Sequence, residues 1–202
     1  MATYLDKCYT DMKKQKLYCF GREAFIRYMQ KSGWDKKVPS NVAVISIDSV
    51  NDTDEHFYKE PSENILNIDF CDMSPELWWH KDLYDIEQEK YLKHLDKGVE
   101  YDPSAFIFNF GPEKNNASVY ALNYKQAGEI VEFIDKHIDC DFYIHCAAGV
   151  SRSQAVVRYI LDIYFNHDWI TRKENPCVCP NIHVVRMLKR CHYIHEPKFN
   201  NF

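Results

Sequence analysis

The chain has 202 residues, 46% of them hydrophobic and 27% charged, with a formal net charge of −5. That length allows one domain with a sizeable core, and the balance of apolar and charged residues excludes a disordered or fibrous chain. The acidic balance argues against general nucleic-acid binding, with Arg172, Lys173, Arg186, Lys189 and Arg190 read as a solvated helix face. No stretch reads as a secretory leader, a membrane span or a lipidation site, so a soluble cytoplasmic protein with no membrane partner is expected. Eight cysteines spread over this length suit a reducing compartment better than a disulfide framework.

In chain order, Tyr4 to Met29 reads as one or two short helices, broken at Phe20-Gly21-Arg22, with Gly33 as a stop. Strand-like runs follow at 42–48 and 64–70. In the second, Leu66, Ile68 and Phe70 alternate with Asn67 and Asp69. Trp78, Trp79, Tyr84, Ile86 and Tyr91 fall in a charged, helical stretch as packing aromatics, and a further strand is expected over 104–110. Asn123 is an N-cap for a helix through His137, because Ala127, Ile130, Val131 and Ile134 share one face. Asp141 to Cys146 is a buried strand, Ser153 to Phe165 carries Val157, Ile160, Leu161 and Tyr164 at helical spacing, and a last helix lies near 181–192. Strands alternating with helices, without repeats or low-complexity linkers, predict an α/β fold: a single domain over 1–202 with a central, mostly parallel sheet flanked by helices.

The chemistry concentrates at residues 145–153, His-Cys-Ala-Ala-Gly-Val-Ser-Arg-Ser, which sit at a strand-to-helix turn. The first N–H groups of a helix lack intrahelical partners and, with the positive end of the macrodipole, form a seat for an anion. The backbone of Ala147, Ala148, Gly149, Val150, Ser151 and Arg152 would line that seat, with Gly149 supplying positive φ and close approach. A thiol at its mouth favours the thiolate, which makes Cys146 a nucleophile. Arg152 can hold two phosphoryl oxygens through its planar fork, and Ser153 can donate a hydrogen bond to the sulfur. His145 supports the loop from the strand side. As the base of a Cys–His protease pair it is disfavoured, because neighbouring strand residues face opposite sides of a sheet.

His145, Cys146, Gly149, Arg152 and Ser153 match the signature of the cysteine-dependent protein tyrosine and dual-specificity phosphatases, and Ser151-Arg152-Ser153 resembles the dual-specificity branch in particular. Asn41 to Ile47, Asn64 to Asp72, Tyr124 to His137 and Pro180 to Arg186 look like a compact bacterial and phage branch of that superfamily. The resemblance implies a phosphatase-like fold, a phosphocysteine intermediate, no metal or other cofactor, and a phosphorylated substrate, by default a protein carrying phosphotyrosine or phosphoserine and phosphothreonine. It also implies a general acid on a loop after an upstream strand. Asp72 is the best match, beyond the 64–70 run and before Pro75. In better-known relatives the acid lies nearer the cysteine, where Glu113 is the only carboxylate in Phe108 to Asn115. The stretch from about 77 to 120 reads as an insertion, so both carboxylates stay open.

Other readings of the same loop are a non-catalytic module that binds phosphate or phosphoprotein, an RNA 5′-phosphatase, a nucleotide or lipid phosphatase, and a sulfurtransferase or arsenate reductase. Arg152 and Ser153 at the helix start disfavour the last pair. Cys177-Val178-Cys179 with His183, Cys191, His192 and His195 raises a zinc site, but Cys-x-Cys lacks the usual gap and ordinary thiols are expected. Cys71 is read as a buried strand-end residue that could also trap Cys146 under oxidation. Oligomeric state is not encoded in any pattern found.

Overall fold

A computed structural model describes residues 14–49, 56–60, 62–73, 82–110, 117–164, 166, 168–175 and 177–196. Five strands form one sheet in the order β3-β2-β6-β1-β7, every neighbouring pair parallel: β1 (Gln15–Gly21), β2 (Val42–Asp48), β3 (Ile65–Asp69), β6 (Asp141–Cys146) and β7 (Trp169–Lys173). Helix α1 (Arg22–Lys31) lies against one face, where Phe20, Phe25, Met29, Val38, Val42, Val44, Tyr58 and Tyr143 pack together. The larger core lies on the other face, beneath α3 (Tyr124–Lys136), α4 (Arg152–Ile163) and α5 (Ile182–His195). A parallel sheet covered on both faces is the expected α/β arrangement.

Alternation along the strands explains the two cores. In β6, Phe142, Ile144 and Cys146 face the larger core, while Tyr143 faces α1 and His145 stacks on Phe25 with ring centroids 4.1 Å apart. Every residue of β2 and β6 is buried. The same geometry corrects the reading of the amino-terminal stretch. Within the described residues, Gln15–Gly21 is a strand between β6 and β7 and not part of a helix. Leu17 and Cys19 go to one core and Phe20 to the other, so both faces of β1 are apolar and no period of two is visible.

The stretch read as an insertion contains α2 (Asp82–Lys97), a 3-10 turn (Ser104–Phe106) and the antiparallel pair β4 (Ile107–Phe110) and β5 (Ala117–Tyr120). The single strand expected over 104–110 thus begins as a turn. Helix α2 joins the far side of α3 and α5 through Tyr84 and Tyr91, and the end of β5 touches the upstream loop, where Cys71 N–H donates to Tyr120 O at 2.7 Å. Trp78, Trp79 and Glu113 lie outside the described residues.

Asn123 caps α3 as expected: its Oδ1 accepts from Gln126 N–H (3.0 Å) and Gln126 Oε1 accepts from Asn123 N–H (3.2 Å). Such a capping box is worth roughly 1 kcal/mol. Gln126 Nε2 also donates to Asp69 O at 2.7 Å, fixing the start of α3 to the end of β3. Because all five strands are parallel, the loops after β2, β3 and β6 leave the same edge of the sheet, where open α/β sheets place their ligands.

Candidate active site

Residues 147–151 form a loop whose carbonyls all find donors outside the seat. Ala147 O accepts from Arg22 N–H (3.0 Å), Ala148 O from Asn175 Nδ2 (3.3 Å) and Gly149 O from Gln154 Nε2 (3.0 Å). Val150 O accepts from Cys179 N–H (3.0 Å), and Ser151 O from Ala155 N–H (2.9 Å) and Asn181 N–H (3.4 Å). A trans peptide holds a C=O and the following N–H on opposite sides. The N–H groups of Ala148 through Arg152 are therefore turned toward the inside of the loop, at the start of α4. Gly149 has φ of +70°, and a Cβ there would lie 2.4 Å from Gly21 N, so the loop could not seat itself on the end of β1 with any other residue.

Arg152 reaches back across the sheet edge. Its Nη1 donates to Asp48 O (3.1 Å) and Phe70 O (2.8 Å) and lies 2.9 Å from Ser49 Oγ. Its Nε is buried with no partner among the described residues. Nη1 thus anchors the guanidinium to the backbone at the ends of β2 and β3. Cys146, 2% exposed, lies with its Sγ 3.1 Å from Ser153 Oγ, as the spacing of the loop predicts.

Asp72 comes to the same place. Its Oδ1 accepts from Ser151 Oγ (2.7 Å), a residue of the loop, and from Asn181 Nδ2 (2.7 Å). The Ser151 hydroxyl is thereby drawn away from capping α4, which leaves the first N–H groups of that helix uncapped by it. Asn181 does two jobs: its Oδ1 caps α5 by accepting from Val184 N–H (3.2 Å), while its amide holds Asp72 and Met73 O. Sequence reasoning did not single out Asn181 as a site residue; its place before an apolar periodic run, inside the Pro180 to Arg186 segment that carries the resemblance, was the available signal.

A second layer lies under the loop. Asp48, 2% exposed, pairs with Arg22 Nη1 (2.7 Å) and lies 2.9 Å from His56 Nδ1, close enough for charge attraction although Oδ2 is off the hydrogen-bond line. Burial alone would raise the Asp48 carboxyl, but the His56 contact and the Arg22 charge outweigh it and hold the group below its usual range. His56 also lies 3.0 Å from Asp69 Oδ1, and contact with Asp48, helped by Asp69, raises its pKa despite partial burial. His145 behaves oppositely. It is fully buried, neither ring nitrogen has a well-aligned partner among the described residues, and burial pushes its pKa down to about 3, so the ring is neutral.

The residues considered for zinc do not converge. Cys177 and Cys179 are exposed, His183 is held between Tyr84 Oη (2.7 Å) and Leu122 O (2.8 Å), and Cys191 is buried against Tyr124 O. Among the described residues no group of three His, Cys, Asp or Glu side chains could hold a metal ion. Cys71 is buried at the strand end. Cys19, which the sequence reading passed over, lies nearer the chemistry, with its Sγ 3.1 Å from Ser153 Oγ. Beside the loop, a groove of about 480 Å³ runs between α1 and the segment after β7 and is floored by Ala147 and Ala148.

Comparison with known proteins returned nothing: no family model, no curated protein and no solved structure matches this chain.

Proposed function

We propose that the chain is a cysteine-dependent phosphatase that hydrolyses phosphate monoesters through a phosphocysteine intermediate. The observation that carries the proposal is that the loop starting at Cys146 spends its carbonyls on donors elsewhere and ends in Arg152, whose buried Nε has no partner among the described residues. A dianionic phosphoryl group supplies the acceptors that this arrangement lacks. Cys146 attacks phosphorus in line, and the loop amides and Arg152 hold the equatorial oxygens as charge redistributes. Asp72, with Oδ1 fixed by Ser151 and Asn181, presents its other oxygen to protonate the leaving group. It then takes a proton from the water that releases phosphate from sulfur. Every bond in this scheme is made by side chains and backbone, without a cofactor.

The substrate class favoured by the dual-specificity resemblance is a phosphorylated protein, whose residues on either side of the phosphate would extend into the groove floored by Ala147 and Ala148. A thiolate nucleophile implies a reducing, cytoplasmic setting; among the described residues no helix is long and apolar enough to cross a membrane.

The test is hydrolysis of a small aryl phosphate in the presence of a chelator. Turnover by the wild-type chain, lost by at least ~10⁴-fold in Cys146→Ser with vanadate binding retained, is the expected result. Vanadate binding without turnover by the wild type would make the chain a binding module instead.

A further inference from the structure

Cys19 and Cys146 project from adjacent parallel strands, Gly21 pairing with Cys146 and Cys19 with Ile144 two positions back. Both sulfurs lie 3.1 Å from the same atom, Ser153 Oγ. We propose that Cys19 is a positioning residue: its S–H donates to Ser153 Oγ and so directs the Ser153 hydroxyl proton onto the Cys146 sulfur. The inference rests on the phosphatase reading, since it concerns how the nucleophile is kept ionised and made to leave.

The argument is one of proton count. A serine hydroxyl has a single proton and can accept up to two more hydrogen bonds. Cys19, Cys146 and Ser153 are 1%, 2% and 0% exposed, so water does not compete for these positions. Burial pushes the Cys19 thiol up to about 12, and it keeps its proton over the whole working range. Gly149 O, also near Cys19, lies much farther away at 3.8 Å and already accepts from Gln154 Nε2 at 3.0 Å, so the 3.1 Å contact with Ser153 Oγ is the stronger one. The Cys19 proton therefore goes to Ser153, and the Ser153 proton is left for Cys146. Donors in series polarise one another, which strengthens the last bond of the chain.

Two consequences follow for the reaction. The hydrogen bond favours the Cys146 thiolate before attack, and it stabilises the same sulfur when the phosphocysteine is hydrolysed and the thiolate departs. Without the Cys19 donor, Ser153 can rotate its proton toward the carbonyl of the preceding turn, a common habit of serine in helices.

The experiment follows alkylation of Cys146 by iodoacetamide against pH, read by mass spectrometry on the peptide that contains it, with vanadate binding as the check on folding. In Cys19→Ala and Cys19→Val the midpoint is expected to rise by about 0.4–1 pH unit, the equivalent of one neutral hydrogen bond. Cys19→Ser, which restores a donor, is expected to return it to the wild-type value. Valine fills the space that alanine empties, so a wild-type midpoint in either variant that still binds vanadate overturns the proposal, as does failure of serine to rescue. A wild-type chain whose Cys146 titrates like a free thiol would instead overturn the nucleophile reading, and the role of Cys19 with it.

Discussion

His145 and His183 are both fully buried, yet they live under opposite rules. His183, on the side of the sheet covered by α2, α3 and α5, has a partner for each ring nitrogen, and its neighbour Tyr124 donates to Tyr84 O at 3.0 Å. His145, at the end of β6, has none that is well aligned among the described residues, and Arg152 Nε is likewise without a partner there. Buried polar groups are normally satisfied, and those that are not mark strain, function or a missing partner. Around His183 the polar atoms of the helical side complete one another, although Glu87 Oε2 on α2 is buried without a partner among the described residues. The loop end of the sheet differs in that buried ring and guanidinium nitrogens lie there without partners among the described residues, as the proposed phosphate binding requires.

If that contrast is right, substitutions at the loop end should cost activity and those on the helical side should cost stability. The largest effect after the nucleophile falls on the acid. Asp72→Asn is expected to lower turnover by ~10²–10⁴ on substrates with poor leaving groups and far less on nitrophenyl phosphate, flattening the basic limb of the pH–rate profile. Glu113→Gln should leave both unchanged; the reverse pattern would move the acid to the later loop. Arg152→Lys keeps the charge but loses the fork, and transition-state stabilisation should fall by ~2–4 kcal/mol, read as kcat/KM.

The pH dependence of stability arises at the loop end, where two histidines act in opposite senses. A neutral buried His145, with its pKa near 3 when folded and near 6.5 when unfolded, withdraws stability as pH falls below about 6.5, by ~1.4 kcal/mol per unit at most. His56 acts in the opposite sense: its contribution is present below about 6.5 and is lost as pH rises through its raised folded value. Denaturant melts of His145→Phe, which can still stack on Phe25, should therefore show a shallower acid slope than wild type. Those of His56→Gln should show a deficit at pH 6 that vanishes by pH 9. The smallest effect belongs to the helical side. Tyr84→Phe leaves His183 Nδ1 without its partner and should cost about 1–2 kcal/mol of stability, with kcat within twofold of wild type. Intact stability with lost activity in Tyr84→Phe would erase the distinction between the two regions.

Much of this was legible in the chain itself, because it is local. Residues 145–153 carry their strand, turn and helix start within nine positions, and Gly149 marks the one backbone angle the loop requires. The Asn123–Gln126 cap of α3 is three residues long, and the alternation of 64–70 shows which face of β3 is apolar. Such features depend on neighbours one to four residues away, which is the range over which hydrogen bonding and side-chain periodicity act.

What the tertiary structure alone decided joins distant residues. Cys19 meets Ser153 across 134 positions and Asn181 meets Asp72 across 109, and no local period encodes either contact. Gln15–Gly21 became a strand because β6 and β7 offered it partners on both edges and cores on both faces, which erases the alternation by which a strand is recognised. Amino-acid pattern therefore determined the loop and the residue types it carries. Parallel packing, by bringing the ends of β2, β3 and β6 to one edge, decided which carboxylate, amide and thiol surround it.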